Sequence, residues 1–383
     1  MKKLLVIARH RPSVLVAKGE YIPRYYNPGD VFDEVHLLLT NDDQPRHEDL
    51  LSAVGRAKLH IHNLPPPDFR FSLGWSAPFI RRWIRDGLEL VREIGPDLIR
   101  VHNNFLEAHL AQHIKRRLGT PYVVSIHHSE WQFKGTLKTR LLSLAQARFE
   151  ASSLQQADAA IAVYQSNYEY ALSLGANDQR LIYNMVSVEI PLKKDYALSR
   201  PPRLITINQQ IPQKNPVNIL RALAEIDCEY WLVGNGPERE NLARLVDSLG
   251  IGDKVKMVEG MPNAELTAML PSFDLHVSHC DVWGVSKTVL EASLAGLPTL
   301  INYHPERRIP EFENEWILRC ENSAAGYASA IREALDDRSL RESIGQQAYK
   351  KAKKLFSPQV AERQLAELYR EKMKTFGGGG SPN

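Results

Sequence analysis

Short apolar runs alternate along this chain with longer segments whose apolar residues recur at helical spacing. Apolar runs that alternate with helices predict parallel strands, in sheets that helices cover on both faces. Helical spacing is clear at residues 105–118 and 216–224. The predicted strands lie at residues 4–8, 35–39, 98–101, 122–126, 159–163, 204–207, 230–233, 255–258, 275–277 and 299–301.

These strands fall into two series, separated by residues 191–202, whose prolines and charged residues are typical of a linker. A chain of 383 residues has room for two domains of about 150–200 residues each. We therefore expect an α/β protein with two doubly wound, Rossmann-like domains that face each other across a cleft. Ligands would bind there, at the carboxyl ends of both sheets. Ser357 and Pro358 predict the start of a final helix.

Composition narrows the class of protein further. No run of about 18 apolar residues occurs, so we expect no membrane-spanning helix. The apolar start of the chain is short and is interrupted by Arg9 and Arg11, so a core strand is expected there and not a signal peptide. The three cysteines are scattered without a CxxC motif, which argues against a disulfide framework or a zinc site and suits a reducing cytoplasm.

The segment from Asp281 to Pro298 carries the strongest chemical signal. A glycine turn at Gly284 leads into a short predicted helix with one acid, Glu291, and a strand follows at residue 299. Free amides at a helix start attract phosphate, and a carboxylate beside them suits a ribose diol. A nucleotide-sugar presents both groups, so this segment predicts a nucleotide-sugar site.

Three other loops that follow predicted strands carry candidate residues. Gly234 and Gly236 allow the backbone to turn close to a ligand, although a plain strand-to-helix turn explains them equally well. Lys214 lies just ahead of a helix start, where its charge suits a diphosphate; the alternative is a solvated loop lysine. His127 suits a hydrogen bond to a sugar hydroxyl, although a lone histidine is more often structural.

The order of these motifs resembles the family 4 glycosyltransferases of GT-B fold. The motifs are His127, Gln213-Lys214, Gly234-Asn-Gly-Pro-Glu238 and Glu291-Ala-x-x-Ala-Gly-x-Pro298. The resemblance covers nearly the whole chain and is most specific in the C-terminal half. It implies an acceptor-binding domain at residues 1–190, a donor-binding domain at 203–356, a helix at 357–376 that returns to the N-terminal domain, and a flexible tail at 377–383.

The resemblance also implies roles for individual residues. Glu291 would bind the ribose hydroxyls of the donor, Lys214 its diphosphate, and His127 would lie close to its sugar. Catalytic roles are expected for His127, Lys214 and Asp281. Donor contacts are expected from Gln209, Gly234, Gly236, Gly284, Val285, Ser286, Lys287, Thr288 and Glu291.

Three features depart from the family pattern. The family's leading glutamate is Asp281 here, and it precedes Glu291 by ten residues instead of the usual eight. Gln209 stands where the family has an arginine. The glycine pair usual after the first strand is absent, and Gly19 is the nearest candidate. We infer that Lys287, inside the longer turn, supplies the missing positive charge; the alternative is a solvent-facing lysine.

The resemblance implies transfer with retention of anomeric configuration, without a metal ion and without a cofactor. Lys214, Lys287 and the amides of residues 287–289 would stabilise the departing diphosphate, since these motifs contain no evident general base. Asp42 and Asp43 form the one Asp-Asp pair in the N-terminal half of the sequence. Their polar surroundings predict a turn and not a metal site.

The charge of the N-terminal half indicates an anionic partner. Residues 51–150 contain 15 lysines and arginines and 8 aspartates and glutamates, a net charge of +7 (15 − 8). Tryptophan mixed with basic residues is typical of a helix in a membrane interface; the alternatives are a solvated basic face and tryptophan packed in the core. The acceptor or a membrane surface is expected to contact Arg24, Trp75, Arg81, Arg82, Trp83, Trp131 and Lys134.

These features predict a retaining hexosyltransferase that moves a sugar from a nucleotide-diphosphate sugar, taken as a UDP-sugar, to a glycan or lipid-linked acceptor. Cell-surface polysaccharide or lipopolysaccharide assembly is the expected role. The expected location is the cytoplasm, peripherally on the inner face of the plasma membrane. Gln209 and Asp281 favour an alternative, a GT-B-like nucleotide-sugar binding protein without catalytic activity. A phosphorylase or an epimerase on the same fold is a weaker alternative. No repeated aromatic-basic motif occurs, so no nucleic-acid partner is expected.

Overall fold

The computed structural model describes residues 1–67, 77–127, 148–184, 186, 190–281, 284–303, 309–313 and 315–377. The chain divides into two compact units. Unit 1 comprises Met1–Asn184 together with Gln359–Asn383, and unit 2 comprises Met185–Pro358. Among the helices in the described ranges, none is both long enough and apolar enough to cross a membrane.

Unit 1 is built on a seven-stranded parallel sheet with the order β3-β2-β1-β4-β5-β6-β7. The strands are β1 (Lys3–Ala8), β2 (Glu34–Leu39), β3 (Lys58–Asn63), β4 (Leu98–Val101), β5 (Tyr122–Ile126), β6 (Ala159–Ala162) and β7 (Gln179–Leu181). The helices are α1 (Pro12–Ala17), α2 (His47–Val54), α3 (Ala77–Ile94), α4 (Leu106–Leu118) and α5 (Gln165–Ser173), with the last helix of the chain, Pro358–Gly377, added from its C-terminal end.

The core of unit 1 lies between the central strands and helices α3 and α4. Leu5 and Ile7 of β1 are fully buried and belong to one apolar cluster with Leu88 of α3 and Leu110 of α4. Strands covered on both faces need apolar side chains on both faces, and β2 is buried at every position. Helix α4 ends at Gly119, whose left-handed backbone (φ 76°) is the usual stop for a helix.

Unit 2 repeats this plan with a six-stranded parallel sheet in the order β10-β9-β8-β11-β12-β13. The strands are β8 (Arg203–Ile207), β9 (Glu229–Val233), β10 (Val255–Val258), β11 (Leu275–Ser278), β12 (Thr299–Asn302) and β13 (Leu318–Cys320). The helices are α6 (Val217–Leu223), α7 (Arg239–Leu249), α8 (Asn263–Met269), α9 (Lys287–Leu294), α10 (Ala324–Asp336) and α11 (Arg338–Leu355). The chain's last helix, Pro358–Gly377, is α12.

The predicted α/β class with two doubly wound sheets is confirmed, and each of the ten predicted strands is present. Three strands were missed, namely β3, β7 and β13. All three lie at an edge of their sheet. Edge strands are often short and polar, so their sequences lack the apolar run that marks a central strand.

Residues 191–202, the predicted linker, form no helix or strand but are firmly attached to unit 2. The Lys193 ammonium donates to the carbonyls of Pro271 and Phe273, at 3.1 and 2.8 Å. The buried Tyr196 donates its hydroxyl proton to the carbonyl of Gly296 at 2.9 Å. Because a buried ammonium must keep its hydrogen bonds, this stretch is fixed to unit 2.

Helix α12 is attached to the edge strand β7 of unit 1. Lys372 of α12 forms an ion pair with Asp178, the residue just before β7. Arg180 within β7 pairs with Glu371 of the same helix at 3.1 Å. This part of α12 is thereby held against the outermost strand of the sheet.

Candidate functional site

The strand order of unit 2 reverses between β8 and β11, which lie side by side. In open parallel sheets ligands bind outside the carboxyl ends of the strands at such a reversal. The loops after these two strands are joined, because the amide of Asp281 donates to the carbonyl of Gln213 at 2.9 Å. Loops at this end of the sheet carry Gln209, Lys214, Gly234, Gly236, Asp281, Gly284, Val285 and Ser286.

Gly234 and Gly236, after β9, are required by close packing against the loop after β8. A Cβ atom on Gly234 would lie 1.8 Å from the carbonyl oxygen of Asn208, and one on Gly236 would lie 2.3 Å from that of Gln210. Both glycines have positive φ angles, 136° and 157°. The two loops also share a hydrogen bond from the amide of Gln210 to the carbonyl of Asn235, at 2.9 Å. The glycines therefore set the position of the loop that leads to Lys214.

Lys214 ends a single turn of 3-10 helix, Pro212–Lys214, in that loop. Its carbonyl accepts a hydrogen bond of 2.7 Å from the Asn208 amide group, which fixes the backbone. The side chain is half-buried, and its ammonium has no hydrogen-bond or ion-pair partner within the part of the chain that the structure describes. A held, unpaired ammonium at the sheet reversal is suited to an anionic ligand. Gln209, earlier in the same loop, is exposed.

Helix α9 begins at Lys287, at the end of the loop that follows β11. Ser286 is the N-cap residue, but its side chain caps no amide, and its hydroxyl contacts that of Thr288 at 3.0 Å instead. Val285 is buried and anchors the entry to the helix. First-turn amides lack acceptors within their own helix, and they carry the positive end of the helix dipole. The predicted phosphate turn thus has the backbone that an anion needs.

Glu291 is 1% exposed and lies one turn further along α9. The side-chain amide of Asn263, in α8, donates to its Oε1 at 2.7 Å. The Lys287 ammonium lies 3.7 Å from the same oxygen, and the Lys287 side chain is 37% exposed. The Lys287 ammonium therefore lies near a buried carboxylate and is also partly open to solvent. Its role in binding phosphate stays a prediction.

Asp281 belongs to a polar chain that the sequence analysis did not find. Its Oδ2 lies 3.2 Å from Nε2 of His279, and Nδ1 of His279 lies 3.4 Å from the hydroxyl of Tyr327. The Tyr327 hydroxyl donates to the carbonyl of Ser278 at 3.0 Å. Burial raises the pKa of Tyr327, so the hydroxyl keeps its proton. The sequence could have indicated this chain, because the polar residues Ser-His-Cys-Asp at 278–281 follow an apolar run. The sequence analysis considered only Asp281 among them.

Unit 1 has its own reversal point, between β1 and β4. His10 follows β1, His102 follows β4 and His127 follows β5. Nε2 of His10 lies 2.8 Å from the hydroxyl of Tyr26, which lies 2.6 Å from that of Tyr21. The rings of His102 and His127 stack at 6.0 Å. We call these five residues the histidine–tyrosine cluster; the sequence analysis identified His127 alone among them.

Four members of the histidine–tyrosine cluster, namely His10, His102, Tyr21 and Tyr26, are uncharged at neutral pH. Burial lowers the pKa of His10 to about 4, although Asp43 acts in the opposite direction. Burial also holds the pKa of His102 well below its ordinary value and raises the pKa values of Tyr21 and Tyr26. These four side chains therefore offer hydrogen-bond donors and acceptors without a formal charge, which suits the hydroxyl groups of a neutral ligand.

Family models match both units of the chain. Residues 33–190 match the model described as Glycosyltransferase Family 4, and residues 191–351 match the model described as Glycosyl transferases group 1. The two matches are contiguous and contain twelve of the thirteen strands, β2 to β13. The chain belongs to the family 4 glycosyltransferases of GT-B fold.

Relatives with curated names are also glycosyltransferases. This chain is 24% identical over 349 residues to alpha-D-kanosaminyltransferase of Streptomyces kanamyceticus. This match covers 82% of the chain and 90% of that protein. The chain is 31% identical over 150 residues to LpsD of Rhizobium meliloti (strain 1021), a lipopolysaccharide core biosynthesis glycosyltransferase, which covers 37% of this chain and 41% of LpsD.

Solved structures show the same fold. HepE of Anabaena in complex with UDP superposes with a TM-score of 0.72 at 17% identity, over 97% of the glycosyltransferase and 100% of that chain. HepE in complex with UDP-glucose gives a TM-score of 0.71 at 16% identity, over the same shares.

For one residue, Trp83, the prediction that it belongs to the acceptor or membrane surface of the glycosyltransferase is wrong. Trp83 is 4% exposed, and its indole donates to the carbonyl of Leu64 at 3.0 Å. The helical spacing of α3 turns Trp83 into the apolar core, while Arg81 and Arg82 lie on the exposed face with Phe79, which is 56% exposed. The core alternative for Trp83 is therefore the right one.

The remaining surface residues of the glycosyltransferase are only partly described. Arg24 is part of an ion-pair network in unit 1, with its guanidinium 2.6 Å from Glu362 of α12. Trp75, Trp131 and Lys134 lie outside the described residues. Asp43, expected in a turn, accepts a hydrogen bond of 2.9 Å from the amide of Ser13 at the start of α1.

Proposed function

We propose that the glycosyltransferase moves a sugar from a UDP-sugar to a hydroxyl group of a glycan or glycolipid, with retention of configuration and without a metal ion at the donor site. The observation that carries the proposal is the position of Lys214 and the start of α9, in loops at the same end of the unit 2 sheet. Both supply positive potential for a diphosphate. HepE, which shares the fold, has been solved with UDP and with UDP-glucose, and this favours a uridine donor.

The proposed reaction breaks the bond between the anomeric carbon and the oxygen of the β-phosphate. A new bond forms between that carbon and the acceptor oxygen, on the same face of the sugar. Negative charge grows on the departing UDP, where Lys214 and the amides of residues 287–289 stabilise it, by about 3–4 kcal/mol for each well-aimed donor. The departing phosphate takes the proton of the acceptor hydroxyl, so no separate base is needed.

The ribose of the donor is proposed to bind at Glu291. A carboxylate is the usual partner of a ribose diol, because its oxygens accept from both hydroxyls. Asn263 orients this carboxylate through the 2.7 Å hydrogen bond, and Lys287 offsets its charge from 3.7 Å. The two contacts give this buried carboxylate a hydrogen-bond donor and a nearby positive charge, which a buried acid requires.

The acceptor is proposed to bind unit 1 at the histidine–tyrosine cluster. The cluster lies after β1, β4 and β5, beside the strand reversal, and its His10 and His102 are neutral at pH 7. LpsD acts in lipopolysaccharide core biosynthesis, which supports a cell-surface glycan or glycolipid as the acceptor. Arg81, Arg82 and the exposed Phe79 on α3 support a peripheral position on an anionic membrane, on its cytoplasmic face.

The first test is release of UDP from UDP-glucose and related donors, with a glycolipid extract as acceptor and NMR to read the anomeric configuration of the product. Lys214→Met keeps the side-chain length and removes the charge, and we expect kcat/KM to fall by about 100-fold or more. Lys214→Arg keeps the charge and should retain part of the activity. Lys194→Ala, at an exposed lysine in the same unit, is the matched control.

The outcomes separate the proposal from its alternative. A wild-type protein whose melting temperature rises with a UDP-sugar but which releases no UDP would be the binding protein without catalysis. Equal activity of Lys214→Met and Lys194→Ala would remove Lys214 from the donor site. Loss of activity in EDTA that Mg²⁺ or Mn²⁺ restores would contradict metal independence.

A further inference from the structure

Three histidines and a glutamate lie together on β2 and β3 of unit 1. The two strands are parallel, with Glu34 opposite Lys58 and His36 opposite His60. Successive side chains of a strand point to opposite faces, so Glu34 and His36 share one face of β2, and His60 and His62 share the same face of β3. The parallel register thus places one carboxylate and three imidazoles on adjacent strands.

The ligand atoms of this group lie close enough together to converge on one metal ion. One ligand atom each from Glu34, His36 and His60 lies within 4.8 Å of the other two. Oε2 of Glu34 and Nε2 of His36 are 3.4 Å apart. Two ligands that each lie about 2.0–2.1 Å from a tetrahedral zinc ion are about 3.3 Å apart. This pair therefore already has the spacing that zinc requires.

His60 supplies the observation that a packed histidine stack does not explain. Its Nε2 is buried, and it has no hydrogen-bond partner among the described residues. A buried polar atom without a partner is costly, and in native proteins such atoms often mark an absent ion or water. The neighbouring His36 ring does not hydrogen-bond this nitrogen. The rings of His36 and His60 stack, with 4.4 Å between their centres.

His62 is placed to support the group from behind. Nδ1 of His36 lies 3.1 Å from Nε2 of His62. A histidine that binds a metal through one nitrogen usually donates the proton of the other to a fixed acceptor, which sets its tautomer and orientation. Nε2 of His62 is such an acceptor, and it leaves Nε2 of His36 free to face Glu34.

The charge around the group is compatible with a cation. Glu34 forms an ion pair with Lys3, whose ammonium lies 3.6 Å away. Lys3 also donates to the carbonyl of Ile94 at 3.1 Å, so it keeps a partner when Glu34 turns to a metal ion. His36 is nearly buried, while His60 and His62 are partly exposed, which leaves a path for an ion to enter.

We propose that unit 1 holds a divalent zinc-class ion, bound by Glu34, His36 and His60, with His62 as the supporting hydrogen-bond partner. Imidazole ligands select zinc and its neighbours over magnesium and calcium, which prefer oxygen. The ligands lie in the first half of β2 and β3, away from the carboxyl ends of the strands where substrates bind. The ion is therefore structural, and it ties edge strand β3 to β2. This proposal is independent of the proposed transferase reaction.

The test is metal binding by the full-length protein after chelator treatment and desalting. We expect one equivalent of Zn²⁺ by calorimetry, a rise in melting temperature on binding, and the visible absorption of four-coordinate cobalt when Co²⁺ replaces Zn²⁺. His60→Gln should lower Zn²⁺ affinity by more than about 100-fold, and His62→Gln by about 10- to 100-fold. UDP release should be unchanged in both variants below their melting temperatures.

The control is His113→Gln. His109 and His113 lie four residues apart on α4, with their rings edge to face and the ring centres 4.7 Å apart, and this pair is a competing place for an ion in unit 1. Stoichiometric binding that survives His60→Gln and is lost in His113→Gln would overturn the proposal, as would a wild-type protein that binds no Zn²⁺ at micromolar concentration. His60 is partly exposed, so circular dichroism of His60→Gln should show a folded protein even where His36→Gln fails to fold.

Discussion

Replacing Gly234 by alanine should damage both the stability and the activity of this glycosyltransferase. The added Cβ atom would lie 1.8 Å from the carbonyl oxygen of Asn208, whereas ordinary van der Waals contact begins at 3.4 Å. One loop must therefore move by about 1.6 Å, the difference between these distances. Overpacking of this kind costs about 1–3 kcal/mol, and a non-glycine residue at φ 136° adds about 1–3 kcal/mol.

The displaced loop is the one that carries Lys214, so the loss should extend to catalysis. A misplacement of about 1 Å at a reacting group is enough for a roughly 100-fold loss of rate. We expect Gly234→Ala to lower the free energy of unfolding by about 2–6 kcal/mol. In the fraction that stays folded, we expect kcat/KM to fall by about 100-fold. Urea denaturation and UDP release measure the two effects.

Alanine substitutions at two other glycines of unit 2 are controls that separate the cost of backbone strain from the cost of the steric clash with Asn208. At Gly250 an added Cβ meets nothing within 4 Å, but φ is 64°, so Gly250→Ala tests backbone strain alone. At Gly252 it also meets nothing within 4 Å, and the backbone needs no positive φ, so Gly252→Ala should be neutral. If Gly234→Ala were no worse than Gly250→Ala in stability, and equal to it in kcat/KM, the collision with Asn208 would not be what holds the Lys214 loop in place.

Three further results are expected. Asn263→Ala removes a partly buried hydrogen bond to the buried Glu291, so it should cost about 1–3 kcal/mol of stability and weaken UDP binding in calorimetry. Unchanged UDP affinity would count against the ribose role of Glu291. Because the folded pKa of His10 is lowered to about 4, its contribution is present above pH 6.5 and is lost as pH falls toward 4; urea titrations should show a shallower loss in His10→Gln. Arg81→Glu with Arg82→Glu should abolish sedimentation with anionic liposomes; salt-insensitive sedimentation would contradict an electrostatic contact.

The sequence was sufficient where an element is apolar and central. Most of the predicted strands are runs of buried and mainly apolar residues, and such runs have few alternatives in a doubly wound sheet. The same logic placed Lys214 and Asp281 in the loops after β8 and β11, at the carboxyl ends of these strands, and their roles in binding and catalysis stay predictions. Glycines at Gly234 and Gly236 were also found, but the packing that requires them, against Asn208, depends on a contact between two distant loops.

The sequence was insufficient where a role depends on a neighbour from another strand. Trp83 was assigned to a surface by composition, although its position in α3 turns it inward. Strand β3 reads Lys-Leu-His-Ile-His-Asn, too polar for a buried run, so its histidines could not be matched with His36. The cysteine count argued against a zinc site, but imidazoles on two parallel strands need no cysteine, and only the register brings them together.

The attachment of α12 to β7 also bears on how the protein avoids self-association. An outermost strand presents unpaired backbone groups to which another chain can add a strand. Arg180 of β7 pairs with Glu371, and Asp178, just before β7, pairs with Lys372. Glu371 and Lys372 both lie in the last two turns of α12. We expect proteolytic removal of residues 371–383, which deletes both partners of these ion pairs, to make the edge of β7 more open to intermolecular pairing. A chain shortened by so little could keep both sheets intact and still be lost to aggregation.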